Sequence, residues 1–336
     1  MNITFLIGNG FDVGMGMHSK FSDYFPIYIE DSKDKVKSLK DFADEIAEDE
    51  EKWSVFEKQL GVYTNKFSLE TKYELIEQVQ DFELGFIDYL KKEEEHLDIE
   101  NIQNFSYNFS KALSDFYLND NLPYGSAEAI KNVFSGNKSS AHNYNFINFN
   151  YSNVLDRCLL TVENGVVKKR SVGGNEKKDI IKENVHVHGK YGVYPMMGVN
   201  DSSQISNKEL AKDTEFISNF VKPLINERIR MGFHAKAKKL IDESTIICVY
   251  GMALGETDKI WWKNIVNWLV TNSTRHLVIF DYDEEYTMNS QFAWIKKENT
   301  YINKLGNLSG VSVESVRSRI HLAVHKNIFS IEELSK

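Results

Sequence analysis

Apolar residues in this chain fall into a few short unbroken runs, separated by long stretches in which they recur at helical spacing. Ile3, Phe5, Leu6 and Ile7 make a β-prone run that stops at Gly8, the pattern of a strand buried on both faces and ending in a turn. Residues 245–250 (TIICVY) repeat it and stop at Gly251, and residues 276–280 (HLVIF) stop at Asp281 and Tyr282. Residues 144–150 (YNFINFN), 184–188 (NVHVH) and 320–324 (IHLAV) predict further strands.

Between the first two predicted strands the period changes. Residues 27–133 are rich in Glu, Lys and Asp and lack β-branched runs, and their apolar positions follow helical spacing. Val36, Leu39, Phe42 and Ile46 form one predicted helix face, and Leu75, Val79, Phe82, Phe86 and Leu90 another. Trp53, Phe56, Phe105, Tyr107, Phe109, Phe116 and Tyr117 fit packing between those helices. The charge runs 48–51 (EDEE) and 91–95 (KKEEE) fit solvated helix faces. Pro26 interrupts a short helix or loop over residues 17–25, residues 119–125 (NDNLPYG) form a turn, and residues 134–140 (FSGNKSS) form a polar loop back to strand. Residues 163–175 form a hairpin or loop, and residues 207–243 are helical apart from a break near Pro223.

Strands bounded by Gly or Asp and alternating with helices predict an α/β fold built on a doubly wound, Rossmann-like parallel sheet. The α/β domain takes residues 1–26 and 134–336, and residues 27–133 form an inserted helical subdomain. Ligands of such sheets bind outside the carboxyl ends of the strands. The polar segments at those ends are residues 8–12, 150–153, 188–189, 251–258 and 281–282, which are expected to converge on one cleft.

Bulk properties narrow the chemistry. The 336 residues carry a formal net charge of −9, which argues against a broad nucleic-acid footprint. The two cysteines, Cys158 and Cys248, lie far apart without CxxC spacing, so neither a disulfide framework nor a zinc site is expected. No His/Asp/Glu spacing suggests any other metal site. The first apolar run lacks the length and basic flank of a signal peptide, and no run approaches the roughly 20 apolar residues of a membrane span. The expected location is the cytoplasm.

The turn after the first strand, Gly8, Asn9, Gly10, Phe11 and Asp12, is the first chemical candidate. Two glycines one residue apart let the backbone bend sharply and approach a phosphate. Their spacing does not fit the GxGxxG fingerprint, and no Gly-Lys-Ser/Thr sequence is present, so the turn fits either a nucleotide loop or a tight βα connection. Asp12 either caps the helix that follows or binds a ribose. Asn150 either caps the helix beginning near Asn153 or faces a ligand. Glu256 and Asp258 either favour the dipole of the helix before Trp261 or bind a ligand. His188, at a strand end before Gly189, is the candidate general base, and His186, two residues back in the strand, is structural or a supporting partner.

The order of four motifs adds a further indication. GNGFD (residues 8–12), FNYSNVLD (149–156), HVHG (186–189) and YGMALGETD (250–258) together resemble the bacterial abortive-infection AbiH family, which is similar to the sirtuin-like NAD-binding fold of phage-defence NADases. The resemblance implies that Gly8 and Gly10 form the dinucleotide loop, that Asn150 faces the nicotinamide ribose, and that His188 is the catalytic histidine. It also implies that residues 251–254, with Gly251, Met252 and Leu254, cup the ADP-ribose, and that Asp281 contacts the adenosine end. Tyr151, Ser152 and Tyr282 fall in the same strand-end segments. Ser152 stands where sirtuin-like enzymes commonly have Asp, and the absent four-cysteine ribbon argues against protein deacylation.

The implied activity is hydrolysis of NAD, as substrate, to nicotinamide and ADP-ribose in antiphage defence. No metal, membrane or stable nucleic-acid partner is expected, and a phage-derived trigger and a homo-oligomer are compatible with it. Two other functions stay open: a sensor that binds NAD or an ADP-ribose-type signal without cleaving it, and a nuclease-type toxin. The lack of clustered carboxylates for Mg²⁺ weighs against the toxin.

Overall fold

In a computed structural model, which describes residues 1–118, 121–282 and 291–336, the apolar runs are strands of one sheet. Seven strands belong to it among the described residues: β1 (Asn2–Ile7), β2 (Asn143–Asn148), β3 (Val166–Val172), β4 (Asn175–His186), β5 (Ile246–Tyr250), β6 (His276–Asp281) and β7 (Ile320–Val324). Their spatial order is β3-β4-β2-β1-β5-β6-β7. Every neighbouring pair is parallel except β3 and β4. The fold is therefore α/β with a mostly parallel sheet. The antiparallel edge pair departs from the expected all-parallel sheet, because Gly173 and Gly174, both at positive φ, close a hairpin that folds β3 back on β4. β4 also begins nine residues earlier than the run starting at Asn184 predicts, and it ends at His186, which puts His188 in the turn that follows. Its first half is polar, with Asn175, Glu176 and Lys178 exposed and Asp179 buried against Arg170, which suits a sheet edge and hides the strand in the sequence.

The central strands are buried on both faces, as unbroken apolar runs require. Phe5, Phe146, Cys248 and Val278 join the apolar core on one face, and Leu6, Ile147, Val249 and Ile279 join the core on the other. The first core continues without a break into the helical block, so the block is fixed to the sheet through shared packing. Helix Lys72–Glu95 buries Leu75, Val79, Phe82, Phe86 and Leu90 as its periodicity predicts. The ring of Phe82 stacks on Phe56 at 4.3 Å and meets Tyr28 edge-on at 4.9 Å.

Local expectations fail where tertiary packing overrides them. Pro26 lies inside helix Phe21–Asp31 and does not interrupt it, since Tyr24, Phe25 and Tyr28 are buried on either side. Helix Tyr124–Gly136 runs through the start of the expected 134–140 loop. Val36 only precedes helix Lys37–Glu48 and is 68% exposed, and Tyr107 is exposed while its aromatic neighbours Phe105 and Phe109 are buried. Of the predicted 119–125 turn, residues 119 and 120 lie outside the described residues.

One topological feature positions the site. From β1 the chain moves outward through β2 to β4, then crosses back to place β5 on the other side of β1. The segments leaving β1 and β5 therefore diverge at the sheet's centre, where open parallel sheets form a crevice.

Candidate functional site

The turns after β1 and β5 pack against each other through glycine. Gly8 N–H donates to Tyr250 O and Gly10 N–H to Gly251 O, both at 2.9 Å. A Cβ on Gly8 would lie 2.6 Å from Gly251 O, and one on Gly10 2.6 Å from Gly251 Cα. Gly251 itself sits at φ +67°, where an L side chain is strained. The glycines are thus explained by the close approach of two backbones. The pairing consumes the N–H groups of Gly8 and Gly10, and Phe11 N–H bonds back to Gly8 O. Those three amides are committed within the protein, while the amide of Asn9 has no backbone partner among the described residues, and Asn9 lines the cavity.

Above this contact lies a cavity of about 530 Å³, within the range of small-molecule sites. Gly8, Asn9, Asp12, Asn150, Tyr151, His188, Gly251, Met252 and Asp258 line it, so four of the five predicted strand-end segments converge. Phe21, Phe56, Phe86 and Leu90 bring the helical block over it as an apolar roof.

Asp12 anchors the polar floor. Its Oδ1 accepts from Asn150 Nδ2 at 2.9 Å and its Oδ2 from Ser152 Oγ at 2.6 Å. Asn150 also donates to Gly8 O at 3.2 Å. Asp12 caps no helix, and burial pushes its carboxyl up to about 7 against the help of those two hydrogen bonds. Asn153, not Asn150, occupies the N-cap position of helix Val154–Thr161. With its NH₂ group spent, Asn150 keeps Oδ1 for a ligand. Ser152 is fully buried and turned away from the cavity toward Asp12.

His188 forms part of the cavity wall, packed edge-on to Phe149 at 5.5 Å and 6.1 Å from the ring of Tyr151. Gly189, at φ +67°, makes the turn behind it, where a Cβ would run into the backbone of Val193 and Tyr194. Burial, with Lys222 and His234 nearby, holds the imidazole well below its ordinary range, and its hydrogen bond goes to the backbone of Phe149. Nε2 is buried without a partner. A neutral ring with one nitrogen committed carries a lone pair on the other, which makes Nε2 a proton acceptor once the ring turns its covered edge toward the cavity. His186 points elsewhere: its Nε2 lies 2.7 Å from Asp156 Oδ2, and its Nδ1 lies 3.1 Å from Asn150 O, so it supports the backbone that carries Asn150.

Three lining or supporting residues, Glu57, Lys222 and Asn200, escape the sequence pattern. Glu57, at the start of helix Phe56–Tyr63, reaches the cavity from the helical block, and its carboxylate pairs with Lys222 Nζ, which is fully buried. Asn200 Nδ2 contacts Asp258 Oδ1 at 3.3 Å and Glu57 Oε2 at 3.4 Å. Asp258 occupies the N-cap position of helix Lys259–Thr271 without a side-chain cap bond. Its carboxyl is pushed up to about 7 by burial and by the Glu57 charge, while Lys222 opposes the shift. A charged residue in a polar helical block carries no sequence signal that it faces a cavity.

Other predicted site residues lie elsewhere. Phe11 is in the core against Tyr250 and Phe329. Glu256 is exposed, with Lys259 at 3.9 Å. Leu254, Asp281 and Tyr282 line a second cavity on the other side of the Gly10–Gly251 contact. The Asp281 carboxylate is taken by Lys297 at 2.7 Å, and the ring of Tyr282 stacks on His325. Among the described residues no group of three or more His, Cys, Asp or Glu is arranged to hold a metal, and no helix is long and apolar enough to cross a membrane.

The family model described as bacteriophage abortive infection AbiH matches residues 4–280 of the chain. No curated protein matches the chain.

Proposed function

The chain belongs to the bacteriophage abortive-infection AbiH family, whose role is antiphage defence, and from that premise we propose that it acts as an NAD-consuming hydrolase with a sirtuin-like, doubly wound arrangement. Counting only the parallel strands in chain order, the sheet reads 3-2-1-4-5-6, the order of dinucleotide-binding sheets, and the cavity straddles their usual crevice. The observation that carries the reading is the pairing of His188 and Asn150 on one cavity. The first is a neutral imidazole with an uncommitted Nε2, and the second is an amide locked by Asp12 so that its oxygen is free.

In the proposed reaction the bond between the nicotinamide nitrogen and ribose C1′ breaks, and its electron pair leaves with nicotinamide. A water oxygen bonds to C1′ and passes its proton to His188, and Asn150 Oδ1 orients the water or a ribose hydroxyl. The aromatic roof keeps other water from the oxocarbenium-like centre. Burial of Ser152 against Asp12 means that the position usually held by Asp is used here for support.

Purified protein incubated with NAD is expected to release nicotinamide and ADP-ribose, and His188→Ala is expected to reduce the rate at least 100-fold. Equal turnover by the His188→Ala variant would overturn the assignment. If both are silent as purified, the same comparison is made on NAD levels in phage-infected cells that express each form.

A further inference from the structure

The side chains at one end of the cavity divide unevenly between hydrogen-bond donors and acceptors. Tyr151 marks that end, its ring 6.1 Å from His188, and Glu57 and Asp258 line the same cavity with Asn200 Nδ2 at 3.4 and 3.3 Å from their carboxyls. Its own hydroxyl is spent on Met196 O at 3.0 Å. The NH₂ of Asn150 is spent on Gly8 and Asp12. What these side chains leave for a ligand is mainly acceptor: Asn150 Oδ1, and the lone pairs that Lys222 and Asn200 leave on Glu57 and Asp258, with the Asp258 carboxyl protonated in part near neutral pH. His188, only 5% exposed, adds an Nε2 that has no partner. The cation available to balance the two carboxylates is Lys222, paired with Glu57. Asn9, at the glycine turn, lines the same cavity, and with its Oδ1 taken by Ser19 Oγ it brings N–H donors there.

We infer that Glu57 and Asp258 form a recognition site for the hydroxyl groups of a ribose whose attached base is uncharged or cationic, and that they exclude phosphate from the His188 end of the cavity. The inference rests on the proposed function and deepens it, because it fixes which way round a dinucleotide lies: sugar hydroxyls against the carboxylates, and phosphates toward Asn9. A pair of carboxyls accepts both hydroxyls of a cis-diol, whereas a phosphate there would meet the Glu57 charge and, above about pH 7, that of Asp258 as well. A nicotinamide ring, being cationic, gains from the same negative charge and from the faces of Phe149 and Tyr151.

Calorimetric titration of the full chain with nicotinamide riboside and with its 2′,3′-dideoxy analogue tests the inference without any substitution. The riboside is expected to bind saturably, the dideoxy analogue at least tenfold more weakly, and inorganic pyrophosphate is expected not to displace the riboside. Glu57→Gln and Asp258→Asn, each with its fold checked by circular dichroism, are expected to weaken riboside binding fivefold or more and to narrow the preference for the diol. Equal binding of the two analogues, displacement by pyrophosphate, or no saturable binding of any riboside would overturn it. Inosine separates the two readings. Diol-dependent binding of inosine with no binding of nicotinamide riboside would remove the NAD assignment and leave the carboxylate site standing, while NAD cleavage with no diol preference would do the reverse.

Discussion

Nδ2 of Asn150 lies 2.9 Å from Oδ1 of Asp12, so a residue after β2 is held by a carboxylate after β1, 138 positions earlier. The bond does two things: it orients the Asn150 amide and, with Ser152, it keeps a buried carboxyl satisfied. Asp12→Ala leaves Asn150 and Ser152 without their acceptor and is expected to cost about 2–4 kcal/mol, read as a lower midpoint in urea unfolding, with loss of NAD turnover. Asp12→Asn, the same size with one acceptor and one donor, is expected to retain most of the stability.

The same pair gives a pH dependence of defined sign. Burial pushes the Asp12 carboxyl up to about 7 in the folded protein, from the ordinary 3.8 of a solvated aspartate, so the folded chain binds more protons between those values. Its contribution to stability is full below about 4 and is lost as the pH rises through 7. Unfolding midpoints measured from pH 5 to 8 should therefore show Asp12→Asn gaining on the unmodified protein as the pH rises. A constant difference would show that the carboxyl is not destabilised by its burial.

His188 is held well below its ordinary range by burial and by Lys222 and His234. It stays neutral through the physiological range, so its own titration is expected to add no limb to kcat/KM for NAD cleavage between pH 8 and 6.5, and a limb centred near 7 that is lost in Asp12→Asn or Asp258→Asn belongs to those carboxyls. A limb centred at 6.5 would indicate a solvated imidazole in its place.

Lys222 is fully buried against Glu57. Removing one member of a buried ion pair strands the other charge, so Lys222→Met is expected to cost about 3–5 kcal/mol, and adding Glu57→Gln should recover a large part of it. The interaction energy from the double-mutant cycle is the measurement.

Gly251→Ala places a Cβ 2.6 Å from Phe11 N at φ +67°. The strain and the close contact are expected to lower stability by about 2 kcal/mol or more and to open the seam between the turns after β1 and β5. Thermal unfolding reads the first effect, and loss of NAD binding the second.

The strands were legible because a chain segment buried on both sheet faces has no choice but to be apolar throughout, and residues 3–7, 245–250, 276–280 and 320–324 advertise that burial. The helical spacing of Leu75 to Leu90 was legible for the same reason, since one face packs and the other is wet. Gly8, Gly10 and Gly251 could be picked out as turns that need glycine, and His188 and Asn150 as polar residues placed at strand ends.

The tertiary structure alone decided what those residues do. Gly8 and Gly10 spend their amides on the strand beside them, which depends on β5 returning to the side of β1 opposite β2. Asp12 caps no helix, and both its oxygens are met from another strand end, while Asp281 lies on the second cavity with Lys297 against it. Glu57 and Lys222 are 165 positions apart and carry no mark of their meeting. Local sequence records whether a residue will be buried and which backbone shape it tolerates. Which donor faces which acceptor is set by contacts between distant segments, and no local pattern encodes them.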